Sequence, residues 1–296
     1  MNKRKASISK EEKECGPLIS IIIPVYNSSR TLDRCIRSVC SQTYEKWEII
    51  IVDSESSDRT PHIAKKWFNK LGERCRYYDI KKRNIALARN FGVRKSKGET
   101  ILTLESDVYL TPRVLEDCVI KAYGKFDGVK LPTYLDLWLN KGYISACRWY
   151  ASCRKGDPNP AVPNFISRKV WLTLGGQDEE LGSVLEDLDF GIKFRRQGYR
   201  SIRIEEHAIH DANFSLKHLV LRSIYTVLGE RRLVNKWKEV GNLGTGYRAF
   251  FILERLRFLI EKQPKFLPGV LLITLIAAMG RGLGALLSLV KKTISS

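Results

Sequence analysis

The sequence predicts an α/β fold with a mostly parallel central sheet flanked by helices, and three observations predict it. Apolar, strand-like runs alternate with segments of helical periodicity through the N-terminal half, the pattern of βαβ units. The runs at residues 18–25 and 47–53 are apolar nearly throughout, which suits strands covered on both faces. Several runs end in acids, which gathers carboxylates at one edge of the sheet, where open α/β sheets bind ligands.

The elements follow in order. Residues 18–25 form the first strand; Pro24 lacks an N–H, so the strand is expected to end there and open into Tyr26-Asn27-Ser28-Ser29. A helix follows from Arg30, with Leu32, Ile36 and Val39 on one face and Ser28 or Ser29 as N-cap. The second strand ends in Asp53, and Ser56, Ser57, Asp58 and Thr60 with Pro61 begin the next helix. Residues 76–80 make a third strand, and residues 84–97 a helix with Ile85, Ala88 and Val93 inward. The fourth run, residues 98–107, reads as a buried strand delivering Glu105 and Asp107 on either side of Ser106. Two acids two positions apart on a strand point the same way, and a divalent cation beside them relieves their repulsion.

The second half is less regular. A helix is expected over 111–123, a strand over 128–135, a turn cluster over 157–163, and a short helix over 168–174 closed by Gly175-Gly176. Residues 186–197 place Phe190 and Phe194 on one helical face and stop at Gly198. Residues 199–204 alternate as a half-exposed strand that runs on towards His207 and His210.

Composition narrows the partners. A net charge of +19 favours anionic ones: nucleic acid, acidic lipid headgroups or phosphorylated substrates. The seven cysteines contain no Cys-x-x-Cys pair, which argues against a zinc site and for a reduced compartment; Cys35, Cys40 and Cys118 read as small core residues. No secretory signal is visible in residues 1–14.

Several motifs occur in a fixed order: Ser20-Ile21-Ile22-Ile23-Pro24-Val25-Tyr26-Asn27, then Ile50-Ile51-Val52-Asp53 with Ser56-Ser57-Asp58, then Ala86-Leu87-Ala88-Arg89-Asn90-Phe91-Gly92. Glu105-Ser106-Asp107, Gly175-Gly176-Gln177-Asp178-Glu179 and Glu186-Asp187-Leu188-Asp189-Phe190 come after them. This set resembles family 2 glycosyltransferases, whose catalytic domain has the GT-A fold, a Rossmann-like sheet flanked by helices. The resemblance covers residues 17–212. It departs from the family at Ser54-Glu55, where Asp-Gly is usual, and at Glu105, the first acid of a motif that is usually Asp-x-Asp.

What the resemblance implies is an inverting, metal-dependent transfer of a sugar from a nucleotide-sugar. It implies Mg²⁺ or Mn²⁺ held by Asp107 with Glu105, and His210 as a further ligand. On the nucleotide-sugar it implies Asp53 at the base or ribose, Tyr26 stacked on the base, Arg89 at a phosphate, and Pro24, Asn27, Glu105 and Ser106 beside them. Gly176 and Glu186 fall on the acceptor side, with Asp187 as the base that takes the proton of the attacking hydroxyl. Residue chemistry alone also allows Asp53 as a loop cap, His210 as a packed strand-end histidine, and the acids at 186–189 as partners of a helix dipole. The crowded acids are expected to raise one another's pKa unless a neighbour such as Arg195 compensates.

The remainder of the chain reads as a helical, membrane-associating extension. Residues 1–16 form a charged arm, residues 213–262 basic amphipathic helices, and residues 263–296 an apolar membrane-anchoring or interfacial helix. The uninterrupted apolar part, residues 266–280, is shorter than the roughly 18 residues of a spanning helix, and Arg281 follows it. The expected setting is the cytoplasmic face of a cell membrane with anionic lipids, near a glycan or lipid-linked acceptor, with no nucleic acid partner. A polyprenyl-phosphate sugar synthase stays open as the alternative, with a basic nucleic-acid-binding protein as a distant one. An already ionised lipid phosphate needs no base, so the Glu186-Asp187 pair favours a hydroxyl acceptor.

Overall fold

The computed structural model describes residues 16–135, 163–181 and 185–211, with scattered positions between 232 and 279. The chain divides into two compact units, Met1–Tyr134 with Asn159–His210, and Leu135–Pro158 with Asp211–Ser296.

In the first unit the order is β1 (Ile19–Val25), α1 (Leu32–Cys40), β2 (Trp47–Asp53), α2 (Thr60–Leu71), β3 (Cys75–Asp79), α3 (Ile85–Lys95), β4 (Thr100–Thr103) and β5 (Val108–Leu110). It continues with α4 (Val114–Ala122), β6 (Gly128–Lys130), β7 (Thr133–Leu135), β8 (Phe165–Ser167), α5 (Arg168–Thr173), α6 (Glu186–Arg196), β9 (Ser201–Arg203) and β10 (Ala208–His210). The main sheet runs β3-β2-β1-β4-β8-β6-β9, and a small sheet runs β5-β10-β7. In the main sheet β1 is parallel to β2 and β4, β2 to β3, and β6 to β9, while β8 is antiparallel to its neighbours β4 and β6.

The continuous apolar runs are explained by what covers each face. Ile19, Ile21, Ile23, Ile49 and Ile51 pack with Leu32, Ile36 and Val39 of α1 and Ala64 and Trp67 of α2. The alternate residues Ile22, Ile50 and Val52 pack with Ala88 and Val93 of α3, Val170 of α5 and Phe190 and Phe194 of α6. Each such isoleucine, fully withdrawn from water, contributes about 1.5–3 kcal/mol. Gly92 lets α3 approach this closely, since a Cβ there would meet Ile22 Cγ2 at 2.4 Å.

Several expectations are corrected. β1 does not stop at Pro24 but continues to Val25, with Pro24 opposite Val52. Val25 accepts from Ser54 N on the β2 side and Ile22 from Leu104 N on the β4 side, so the missing donor of Pro24 faces β4. β4 has already ended there, with Thr103 opposite Ile22 as its last pair, and the proline leaves no bond unmade. Neither Ser28 nor Ser29 caps α1. The N-cap is Thr31, and Ser28 serves through its carbonyl, which accepts from the backbone of Thr31 and Leu32. Ile85 is half-buried, whereas Ala88 and Val93 are inward as expected. The strand expected over 128–135 is two strands in different sheets, broken at Leu131-Pro132, where proline cannot extend a ladder. β5 and β8, three residues each, carry too little pattern to be foreseen. Cys35 and Cys118 are buried, but Cys40 is exposed at the end of α1.

The opposite end of the sheet is closed by a buried carboxylate. Glu48 Oε1 accepts from Ser20 Oγ and Lys97 N, each at 2.6 Å, and Oε2 accepts from Arg76 Nη2. Glu48→Ala leaves the Arg76 cation and these donors without their acceptor. The expected loss is about 3 kcal/mol, read as a lower urea midpoint at unchanged slope.

Of the second unit, positions 270–272, 274–276 and 278–279 are helical, and Thr274 Oγ1 donates to Val270 O one turn back at 2.8 Å. Leu271, Leu275 and Met279, four apart, are exposed there. The expected turn cluster at 157–163, apart from Pro163, lies outside the described residues, as do the arm up to residue 15 and the expected basic helices over 213–262, of which only positions 232, 233 and 236, all helical, and 237 are described.

Candidate active site

The acids of the 98–107 run do not sit on a strand. β4 ends at Thr103, and Ser106-Asp107 form a turn closed by Val108 N donating to Glu105 O at 3.0 Å. The strand period therefore does not set where the two carboxylates point. Ser106 Oγ donates to Ser28 Oγ at 2.8 Å, tying this turn to the loop after β1. The chain then enters β5, and β10 pairs antiparallel to it with His210 opposite Val108. That register sets His210 next to Asp107. The histidine is the last residue of β10 rather than a residue beyond a strand.

His210 Nε2 lies 3.2 Å from Asp107 Oδ2, and one ligand atom each from Glu105, Asp107 and His210 fall within 4.8 Å of one another. Glu105 is exposed and the other two are half-buried, so the cluster can be reached from solvent. Two carboxylate oxygens and one imidazole nitrogen are ligands that a divalent cation accepts.

The second cluster opens α6. Leu185 precedes it in the left-handed region at φ 65°, a conformation that costs a non-glycine residue about 1–3 kcal/mol. Glu186 is buried and Asp187 exposed, with Asp187 Oδ1 accepting from Leu188 N at 2.8 Å. Burial pushes the Glu186 carboxyl up, Asp187 beside it pushes the same way, and the Arg89 guanidinium opposes both. Among the crowded acids, Glu186 is met by Arg89, and Asp189 by Lys193 Nζ at 3.2 Å.

Arg89 joins the two clusters. Its Nη1 donates to Glu186 Oε1 at 2.9 Å and to Gln177 Oε1 at 3.2 Å, while Nη2 donates to Glu105 Oε1 at 3.3 Å. Far from a solvated helix surface, the side chain is buried. Its neighbour Asn90 donates to Gln177 O and Glu179 Oε1 and accepts from Gln177 N. Gly176, at φ 70°, is the residue this contact demands, because a Cβ there would stand 2.4 Å from Asn90 Oδ1. α3 therefore fixes the Gly175–Glu179 loop and α6 with one turn of helix.

The other sequence-predicted residues lie at the ends of β1 and β2. Asp53 is buried, accepting from Ser56 N at 3.0 Å and Tyr77 Oη at 3.1 Å. Burial, and Asp53 itself, keep the Tyr77 phenol protonated. Asn27, at φ 47°, accepts from Ser57 N and its own N–H donates to Ser56 Oγ, so it ties the loops after β1 and β2 together. Tyr26 is exposed, with the Arg83 guanidinium 3.8 Å above its ring.

Two residues escape a sequence reading. Arg83 directly precedes Asn84, the N-cap of α3, and looks like an ordinary loop cation until the fold brings it over Tyr26. Lys130 ends β6 opposite Arg203 of β9, and its ammonium feels both Asp187 and Glu105. Burial holds its pKa below the usual lysine value, against the pull of those two acids. A single charge in the apolar stretch Gly128-Val129-Lys130-Leu131 was the available signal.

Comparison with known proteins decides the family. The model for glycosyl transferase family 2 matches residues 20–157. EpsE of Bacillus subtilis (strain 168), a glycosyltransferase by name, is 34% identical over 208 residues, which are 64% of this chain and 71% of EpsE. The chain belongs to glycosyl transferase family 2. A chondroitin synthase of Escherichia coli is 34% identical over 117 residues, 40% of this family 2 chain but only 17% of that much longer protein. Among solved structures, a mannosyltransferase from Pyrobaculum calidifontis shares 18% identity and a TM-score of 0.58, over 99% of this chain and 84% of that one. That likeness shows a shared GT-A fold. As a family 2 member the protein is a glycosyltransferase of the nucleotide-sugar type.

Proposed function

We propose that the protein is an inverting glycosyltransferase that uses a divalent cation to move a sugar from a nucleotide-sugar to a hydroxyl of a lipid-linked or cell-surface glycan. The observation that carries this reading is the pairing of an acid–histidine triad with an exposed carboxylate at a helix start, the two joined by Arg89.

Glu105, Asp107 and His210 would hold the cation, which supplies charge neutralisation to the departing diphosphate. A mixed oxygen and nitrogen set suits Mn²⁺ better than Mg²⁺, which prefers oxygen alone. The Pyrobaculum mannosyltransferase is described in complex with GDP-Man and Mn²⁺, which supports both the donor class and the metal. Asp187 takes the proton of the acceptor hydroxyl as its oxygen bonds to the anomeric carbon. The bond from that carbon to the phosphate oxygen breaks, and the nucleoside diphosphate leaves with the electron pair. Attack from the face opposite the leaving group inverts the centre.

Asp53 and Tyr26 receive the nucleoside. Arg83 already covers one face of the Tyr26 ring, so a base can stack only on the other. Removing the ring in Tyr26→Ala costs about 1–3 kcal/mol of base stacking, a rise in donor KM of about five- to 150-fold. Steady-state kinetics should show kcat changing far less.

The same proposal seats the enzyme at the cytoplasmic face of a membrane. Supporting it are the net charge of +19, Lys262 and Lys265 beside the apolar stretch, and the exposed Leu271, Leu275 and Met279. Among the described residues no helix is long and apolar enough to cross a membrane.

The deciding experiment is a panel of UDP- and GDP-sugars with Mn²⁺, read as nucleoside diphosphate release with glycan hydroxyl acceptors and with polyprenyl phosphate. Release stimulated by the hydroxyl acceptor supports the reading, and release stimulated only by the lipid phosphate replaces it with the polyprenyl-phosphate synthase. Co-sedimentation with vesicles containing phosphatidylserine tests the membrane part, which fails if the protein stays in the supernatant at low salt.

A further inference from the structure

We propose that Arg89 is a positioning residue that couples the Glu105–Asp107–His210 triad to the carboxylates opening α6, so that cation binding at one is felt at the other. This rests on the reading of the triad as the cation site and of Asp187 as the base.

The geometry is that of one cation divided between two acids. Nη1 faces Glu186 and Gln177, Nη2 faces Glu105, and Nε is buried with no hydrogen-bond partner among the described residues. With 6% of its surface exposed, Arg89 cannot turn to water for compensation, so it depends on these acids. The two ends differ. The Glu105 side chain is 51% exposed and its contact with Arg89 is the longer, whereas the Glu186 side chain is 8% exposed and its contact is short. Glu105 is therefore the end that can move.

A carboxylate that gives its charge to a divalent cation has less to give to a guanidinium. When Glu105 turns to a cation, Arg89 is left to Glu186, and Glu186 is bonded through the backbone to Asp187. Cation binding then tightens the first turn of α6 that carries the base. Coupling of this kind is reciprocal, so a change at Glu186 must alter cation affinity although Glu186 is no part of the triad. The planar fork is what allows one side chain to hold both acids. A lysine, with a single point charge, can serve one acid at a time.

The test is a double-mutant cycle read by Mn²⁺ binding to the full chain in calorimetry, with no donor present. Glu186→Gln should weaken Mn²⁺ binding about five-fold or more, because Arg89 then falls back on Glu105 and competes with the cation. In the Arg89→Lys background the same change should alter affinity less than about two-fold. Equal effects in both backgrounds mean plain loss of charge attraction across space, and overturn the proposal. Asp107→Asn serves as the separate control: if it leaves Mn²⁺ binding intact, the triad is not the cation site and the underlying reading fails instead.

A second measurement needs no change at Arg89. Mn²⁺ at saturation should slow amide hydrogen exchange at Leu188, Asp189 and Phe190 in the unaltered protein and not in Glu105→Gln. Exchange that is unaffected in both, or slowed equally in both, overturns the coupling.

Discussion

Asp187→Asn is expected to lower kcat about a thousand-fold with a hydroxyl acceptor, within the 10²- to 10⁴-fold range of a lost general base, and to leave donor KM nearly unchanged. The substitution is well suited to the question. Asp187 is exposed and its Oδ1 accepts from Leu188 N, an acceptor that asparagine retains. The fold and the first turn of α6 therefore survive, and what is lost is the capacity to take a proton. Neighbouring Glu186 cannot substitute, because it is buried and committed to Arg89 at 2.9 Å. Rates of nucleoside diphosphate release, with and without acceptor, give the measurement. A variant within about five-fold of the parent on a glycan hydroxyl removes Asp187 from the mechanism, since less than about 1 kcal/mol of barrier would then depend on it. Full activity kept only with a lipid phosphate acceptor points to the synthase reading, whose nucleophile arrives already ionised.

How much of this was legible in the sequence differs sharply between elements. β1, β2 and α3 were visible because each buries a long apolar pattern, and their ends fall within two residues of the expected ones. β5, β8 and β10 are three residues each, and their existence depends on partners far away in the chain. That shortness explains the one consequential error of placement, the assignment of Glu105 and Asp107 to a strand. A period of two holds only as far as Thr103, where the segment leaves the sheet. The acids still meet, but through the turn and through β10, which sets His210 opposite Val108.

The candidate site was legible in its residue types and not in its connections. Nothing in the spacing of Arg89, Glu105 and Glu186 tells that one guanidinium touches both acids, since they stand 16 and 97 positions away from it. The family resemblance implies Arg89 at a phosphate and says nothing of the two acids it holds. The fold buries it, and a buried arginine holding two carboxylates is a different kind of object. Lys130 was missed for the complementary reason: its significance comes entirely from β6 ending near acids contributed by other elements.

Asp107→Asn should cause the other large loss, about a thousand-fold in kcat/KM, if several kcal/mol of diphosphate neutralisation pass through the bound cation. Asp107 is the choice over its two partners for a structural reason. Glu105 has a second attachment in Arg89, and removing its charge disturbs both clusters at once. His210 supplies a neutral ligand, so losing it leaves the charge of the site in place. Asp107 alone is a carboxylate whose described side-chain partner, His210 at 3.2 Å, is itself in the triad. Asparagine keeps its size and a carbonyl oxygen while removing the charge, and the turn closed by Val108 N and Glu105 O does not involve its side chain. Thermal unfolding separates a binding defect from a folding defect. A cation at a hundred times its Kd stabilises the parent by about 2.7 kcal/mol, which raises Tm measurably, whereas the variant should unfold at the parent's cation-free Tm whether or not Mn²⁺ is added. A variant that gains no stability from Mn²⁺ and yet still turns over would show that the charge balancing the leaving diphosphate comes from the protein's own cations, such as Arg89 and Lys130 beside Glu105.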